Sequence, residues 1–509
     1  MENVLIAGAG PTGLALALWL TKFGIQVRIV DKSAGPGETS RAMVVQARTL
    51  ELYRQLGLAG PVVAAAHLNP ALNLWTRGQH RARVDLADAG AGLTPYPFIA
   101  VYPQDQHERL LIEHLAAMGV NVERNTELMA FGESKDGVAV RLKLPDGSEQ
   151  AVTVAYLAGC DGARSTVRHQ LGTGFEGGTY QQVFYVADVE ADGLAPADEL
   201  HVALDSGDFA LLLPYGKEGR KRLIGTVRDE RAEKADTLTF DDVRQDAIGR
   251  LGLQVHRVHW FSTYRVHHRV AEAFRRGRIF LLGDAAHIHS PAGGQGMNTG
   301  ILDANNLAWK LADVIHARAP ARLLDSYALE RQAFARRLVA TTDRVFTLAT
   351  SEGHIADFIK THILPTFVSL ASSLDEARGF LFRTVSQTML HYRDSPLSEG
   401  RAGEVHGGDR LPWVRGAAGD NFGPLDSGAW QVHVYGTATE ALTAWCERHR
   451  LPLHVLAWTP AHHEAGFARD ALYLLRPDGY VALADPQGAV EALERYFRSQ
   501  GCVWAQPVA

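Results

Sequence analysis

A chain of 509 residues with 46% hydrophobic and 21% charged residues can bury two or three cores, since a domain usually holds about 100 to 200 residues. A formal net charge of -6 without a long basic tract gives no electrostatic reason to expect nucleic acid. Cys160, Cys446 and Cys502 form no CxxC pair and have no zinc-site spacing, so neither a disulfide framework nor a structural metal is indicated, and a reducing cytoplasm is the expected compartment.

The first predicted element is a short apolar strand, Val4 to Ala7, running into Gly8-Ala9-Gly10-Pro11-Thr12-Gly13. A helix from Leu14 to Leu20 and a second β-rich run, Val27 to Val30, ending at Asp31-Lys32, complete a βαβ unit. Gly8 permits the tight turn, Gly10 a close backbone approach, and Gly13 helix-on-strand packing. The helix N-terminus offers free N–H groups to a pyrophosphate, and Asp31 is placed to hold ribose hydroxyls. Glycines, a proline and no basic start rule out a signal peptide or membrane span over Val4 to Leu20, and no later run has membrane length, so a protein free of the membrane is expected.

A strand from Val152 to Ala158 leads into Cys160-Asp161-Gly162-Ala163-Arg164-Ser165-Thr166-Val167-Arg168, where Asp161 and Gly162 close the strand and a helix is expected from near Ala163. On its own this is also compatible with a capped turn. Strands follow at Val183 to Val189, His201 to Leu204, Ala210 to Leu213 and Arg222 to Val227. The run Phe209 to Pro214 is apolar and carries no arginine to anchor a carboxylate, which favours a neutral phenolic or polycyclic ligand, although a sheet core reads equally well. Leu213 is a candidate substrate contact. His201 and Tyr215 are candidate acid, base or hydrogen-bond partners, and a surface position is expected for both.

The apolar strand Ile279 to Leu282 precedes Gly283-Asp284-Ala285-Ala286-His287, which puts Asp284 at a strand end, and then Pro291-Ala292-Gly293-Gly294-Gln295-Gly296-Met297-Asn298. These glycines allow backbone approach to a flat ligand, and a helix from about Thr299 to His316 points its positive end back at it. His287 with His289, and His267 with His268, raise a metal, but no nearby set completes four ligands. Leu307 to Ala312 reads as core. Helical pattern continues to Leu390, and the polar, glycine-rich stretch Asp394 to Gly408 reads as a linker. The remainder alternates strand and helix: Trp430 to Tyr435, Thr439 to Arg448, Leu453 to Ala457, an Arg476-Pro477-Asp478-Gly479 hairpin, and Ala489 to Gln500.

With all three signatures in this order, the chain resembles the class A flavoprotein monooxygenases, the FAD-dependent aromatic hydroxylases of the para-hydroxybenzoate hydroxylase and phenol hydroxylase type, over roughly residues 3 to 340. The resemblance implies an α/β fold: a Rossmann-like FAD-binding domain (1–173 and 277–393), an inserted β-sheet substrate domain (174–276) and a thioredoxin-like C-terminal domain (403–509). Cys446 and Cys502 make no redox pair in the last of these. By resemblance Gly8, Gly10 and Gly13 bind the FAD pyrophosphate, Asp31 the adenosine ribose and Asp284 the pyrophosphate or ribityl region, with Pro11, Thr12, Lys32 and Gly283 as further cofactor-binding candidates. Arg41 matches the family arginine that contacts FAD and nicotinamide, Gln104 its helix-opening glutamine, Asp161 serves FAD and NAD(P)H, Met297 and Asn298 lie against the isoalloxazine, and Pro291, Gly294 and Gly296 are further cofactor-binding candidates, Pro291 also near substrate. Asp31 stands where glutamate is more usual, and Ala292 where threonine is common. The implied reaction uses NADPH or NADH as a transient co-substrate and O₂ to hydroxylate an aromatic substrate through a flavin C4a-hydroperoxide, in a monomer or homodimer. A Baeyer-Villiger-type oxygenation or a non-catalytic FAD-binding role remain alternatives on the same scaffold. No nucleic acid, membrane or metal partner is expected.

Overall fold

The computed structural model describes residues 3–37, 42–69, 71–76, 78–85, 89–193, 198–205, 208–214, 219–227, 237–243, 251–289, 294–350, 375–416 and 419–502. Val4–Ala7 pairs in parallel with Val27–Val30 on one side and Tyr156–Gly159 on the other. Val122–Glu123, Ile279–Leu281 and Arg275–Arg276 complete a six-stranded sheet. All four residues of the first strand are buried, as expected of a parallel sheet covered on both faces.

Two helices converge on the carboxyl ends of these strands. Pro11–Lys22 packs against Gly296–Ile315, with Gln104–Ala117 on its other side. The long helix starts at Gly296, three residues before the sequence signal. Its predicted core stretch is buried, Trp309 and Lys310 included.

A second, eight-stranded sheet is built around two 18-residue strands, Phe175–Asp192 and Gln254–Ala271, paired antiparallel with register shifts after Thr179, Asp188 and Glu190. Arg220–Val227, Asp208–Pro214 and Leu200–Asp205 continue it, and the hairpin Ala71–Thr76/Gln79–Asp85 closes one edge from an earlier part of the chain. Its two faces bury different clusters. Tyr185, Ala187, Leu212 and Leu223 pack on one side. On the other, Phe184, Val186, Leu213 and Ile224 pack against Met43, Ile99 and Val101 from the cofactor half. Alternation along a strand separates Leu212 from Leu213 in this way.

The expected linker is not one: Glu399–Ala402 pairs with Val481–Asp485, and Val405–His406 pairs back onto it. These residues are edge strands of a six-stranded sheet that also contains Gln431–Tyr435, Leu453–Leu456 and Leu472–Leu475. Polar, glycine-rich composition suits an edge strand as well as a linker, and Gly400 and Gly407 sit where a Cβ would meet the neighbouring backbone.

Candidate active site

The first glycine turn is shaped by what a side chain would hit. Gly8 has φ +102°, and a Cβ there would collide with the carbonyl of Cys160; one on Gly13 would collide with the carbonyl of Gly8. The turn is therefore pressed between its own helix and the second signature. Gly10 has nothing within 4 Å, so its outer face is open. Pro11 occupies the first helical turn, where its missing N–H costs nothing. Asp31 faces this turn: Oδ2 accepts from the Ala9 N–H at 2.7 Å and Oδ1 from the Ser33 N–H at 2.7 Å, with Arg124 at 3.8 Å. Lys32 is exposed beside it.

The expected strand Val152 to Ala158 is two: Glu149–Val154 belongs to a separate three-stranded antiparallel sheet and Tyr156–Gly159 to the main sheet. Asp161 follows the second of these, and the helix begins later than expected, at Thr166, capped by the Ser165 hydroxyl, which accepts from the Arg168 N–H at 2.9 Å. The Asp161 Oδ2 accepts from Val167 N–H at 3.1 Å, while its buried Oδ1 has no partner. A buried unpaired carboxylate oxygen is costly, and it marks a place where a ligand donor fits. Arg168 joins the second and third signatures, donating to the carbonyls of Ala163 (2.7 Å) and Ala285 (3.0 Å).

Gly283 has φ +55°, and a Cβ on it would meet the Thr12 hydroxyl at 2.6 Å; Gly300 leaves room for the same hydroxyl from the long helix. Thr12 thus fills a notch made by two glycines. The Gly283 N–H donates to Asp303 Oδ2 at 3.0 Å, which also pairs with His287 Nε2 at 2.7 Å, and Asp303 Oδ1 accepts from Arg331 Nε at 2.6 Å. Burial opposes charge on Asp303, yet Arg331 and His287 hold its carboxyl below the ordinary value. His287 therefore supports the turn, stacked on Phe274 with ring centroids 5.8 Å apart. Among the described residues, no cluster of three His, Cys, Asp or Glu could hold a metal. Asp284 is exposed at the strand end.

Gly294 lies against Val44, 3.1 Å from an added Cβ. Gly296 and Met297 form the first turn of the long helix, Met297 partly buried against the core. Asn298 is fully buried and fully used: Oδ1 accepts from Gln46 N–H (2.9 Å) and Thr49 Oγ1 (2.8 Å), and Nδ2 donates to the carbonyls of Val44 (2.8 Å) and Gly294 (2.9 Å). Its side chain pins the Val44–Val45 strand to the helix start and keeps no donor for a ligand. Gln104 opens its helix, donates to Glu108 at 2.8 Å and accepts weakly from the Ala42 N–H at 3.4 Å, so it braces the loop before the strand at Val44. Arg41, Tyr215 and Pro291 lie outside the described residues.

The substrate candidates divide. Leu213 is buried on the face that meets Met43, Ile99 and Val101. His201 lies opposite Leu212 in the ladder, on the other face, and is buried instead of exposed, its Nδ1 accepting from the Trp75 indole N–H at 3.1 Å. The indole partner lets the ring be buried.

Sequence reasoning missed a charged pair beside Leu213. Arg222 sits directly opposite Leu213, and Asp188 opposite Arg222 on the next strand. They form a bidentate pair at 2.6 and 2.7 Å with Arg222 over the Trp260 ring. It also missed Asp303 and Arg331; a charged residue inside the otherwise apolar stripe of the long helix was the available signal for Asp303, whereas Arg331 sits on the following helix, Asp325–Thr350, in a charged run that carries no such mark.

A glycine turn with an open outer face, a carboxylate aimed at it, and an unpaired buried carboxylate oxygen across from it fit a dinucleotide pyrophosphate and ribose, which makes this a dinucleotide-binding protein. The family model described as FAD binding domain matches residues 1–342, and the chain belongs to that family. It is 38% identical over 415 residues to 6-methylpretetramide 4-monooxygenase of Streptomyces rimosus, covering 80% of this chain and 73% of that one. It is 30% identical to the rifampicin monooxygenase of Rhodococcus hoagii over 96% of this chain and 97% of that one. The solved anhydrotetracycline hydroxylase OxyS from Streptomyces rimosus superposes with a TM-score of 0.78 at 28% identity, covering 99% of both chains. The protein is a FAD-dependent monooxygenase that uses NAD(P)H. No helix among the described residues is long and apolar enough to cross a membrane.

Proposed function

We propose that this monooxygenase hydroxylates a neutral phenolic or polycyclic aromatic substrate held between the inner face of the eight-stranded sheet and the strand at Val44. The observation that carries this reading is the wall itself: Phe184, Val186, Leu213, Ile224 and Val266 are apolar, and the charge of Arg222 within it is taken up by Asp188. A carboxylate-bearing substrate would find no free cation among these described residues, and burying its charge would be costly. The relatives named for 6-methylpretetramide and anhydrotetracycline support the class.

In this reading Gly8, Gly10 and Gly13 receive the FAD pyrophosphate, Asp31 the ribose, Asp161 and Asp284 further polar atoms of the cofactor, and the N-terminal N–H groups at Gly296 and Met297 face the flavin ring. Bound FAD supplies electron transfer from NAD(P)H and activation of O₂. The chain's part would be to orient the aromatic ring against this apolar face and keep water from it. Asn298 acts through Val44 and Gly294, as a brace. We place the enzyme in the cytoplasm, as a monomer or homodimer.

The test is NADPH and NADH oxidation by the purified flavoprotein against phenols, naphthoquinones and polycyclic polyketides beside matched aromatic carboxylates, with peroxide and oxygenated product quantified together. Oxygenated product from the neutral compounds supports the reading. Coupled turnover confined to the carboxylates would sink it.

A further inference from the structure

The Arg476-Pro477-Asp478-Gly479 hairpin belongs to the C-terminal sheet, yet several of its polar groups bond residues of the cofactor half. Arg476 is fully buried and donates to both oxygens of Glu330 (2.7 and 2.9 Å) and both of Asp478 (3.0 and 2.6 Å). Glu330 also accepts from Lys310, Asn306 and Ser395 at 2.6 to 2.7 Å. Asp478 takes the Trp309 indole N–H at 3.0 Å, and its carbonyl takes Arg48 Nη2 at 2.6 Å. The Pro477 carbonyl accepts from Gln55, which in turn accepts from Trp19 on the dinucleotide helix.

Two routes lead from this joint to the cofactor turns. Glu330 and Arg331 are consecutive on the helix Asp325–Thr350 and so point about 100° apart. Glu330 grips Arg476; Arg331 grips Asp303, which holds the Gly283 N–H, and donates to the Thr299 carbonyl at 3.1 Å. Rotating or sliding that helix would move both contacts together. On the second route, Arg48 stands two residues after Gln46, whose N–H is held by Asn298 at the start of the long helix. Buried ion pairs do not generally outdo apolar packing in stability. What bidentate guanidinium–carboxylate pairs add is fixed geometry.

We infer that Arg476 is a positioning residue for the FAD site, setting the Gly283 turn through Glu330, Arg331 and Asp303. The C-terminal module thereby becomes part of the cofactor-binding machinery although none of its described residues lies at the glycine turns.

The test is a double-mutant cycle read on FAD affinity. Arg476→Met and Asp303→Asn are made singly and together, and FAD Kd is measured by flavin fluorescence on the apoprotein, alongside the visible spectrum of the bound flavin. Distant, independent changes multiply in Kd, whereas linked ones do not. The expected result is a roughly 2- to 30-fold weaker Kd for Arg476→Met, a shifted flavin spectrum, and a double variant weaker by much less than the product of the singles. Arg476→Lys should recover only part of the loss, because one ammonium cannot reproduce two bidentate pairs. Unchanged Kd and spectrum with only a lowered unfolding midpoint, or multiplicative losses, would overturn the inference. Should Arg476→Met fail to fold, the same cycle with Asp478→Asn decides by the same outcomes.

Discussion

The glycine turns and the Arg476 joint are both rich in polar atoms near the same helices, but they treat those atoms in opposite ways. At the turns, Gly10 faces open space and Asp161 Oδ1 is buried without a partner. At the joint, Glu330 takes five donors, and Arg476 uses its Nε and both terminal nitrogens within the chain. The joint also leaves the Arg48 Nε and the Tyr480 hydroxyl buried without a partner, but no open glycine turn lies beside them. What distinguishes the cofactor turns is unmet hydrogen-bonding capacity next to an open backbone face.

The most damaging way to break this contrast is to fill the open region. Gly8→Val puts a branched side chain against the Cys160 carbonyl at φ +102°, and the protein should be isolated without flavin, read as loss of the visible absorption band. Retention of stoichiometric FAD would mean the turn is not the cradle. Next comes stripping one partner from the saturated network. Asp303→Ala leaves Arg331 uncompensated and fully buried, and denaturant unfolding should show a loss of about 3–5 kcal/mol, the range for breaking a buried pair.

Acid sharpens the comparison because several buried groups respond in the same direction. Burial holds His107 and His433 down to about 3, so the unfolded chain binds their protons first, and the stability they contribute is lost as pH falls from 6.5 toward 3. Glu330 is buried, but Arg476 and Lys310 hold it below its usual 4.5; its contribution is present above that value and lost as pH falls below it. Unfolding midpoints measured at pH 7.5, 6 and 4.5 should therefore decline throughout, most steeply at the acid end. A flat profile would show that these groups do not stay buried. The smallest expected effect is on selectivity: Asp188→Asn removes the bidentate carboxylate partner of Arg222 beside Leu213, and KM for an aromatic carboxylate should fall by up to about tenfold relative to its neutral counterpart, in line with a charge-assisted hydrogen bond. An unchanged ratio of the two KM values between wild type and variant would remove Arg222 from the substrate wall.

Local chemistry was legible in the sequence. The glycine spacing, the acid at position 31 and the strand before Gly283 each announce themselves within a few residues, and the structure puts them at adjoining strand ends. Long-range partnership was not. His201 looked like a surface histidine because nothing nearby in sequence predicts Trp75 as its donor. The 394–408 stretch looked like a linker because edge strands and linkers share a composition. The Asn298 side chain looked like a flavin contact, but three of its four hydrogen bonds go to residues some 250 positions away and the fourth to Gly294. Asp188 and Arg222 sit 34 positions apart, and only the strand register makes them a pair.

The Thr12 hydroxyl, seated in the gap left by Gly283 and Gly300, ties three distant stretches of chain into one inheritance unit. A methyl group on Gly300 is a lesion that a smaller residue at 12 can repair, whereas a larger residue at 12 has no such remedy because both its neighbours are already glycine, and Gly283 carries φ +55° besides. A genetic selection for colourless, flavin-free protein should return hits at all three positions, and second-site revertants of Gly300→Ala should arise at position 12 as Ser, Ala or Gly, while lesions at 12 itself should revert only at 12.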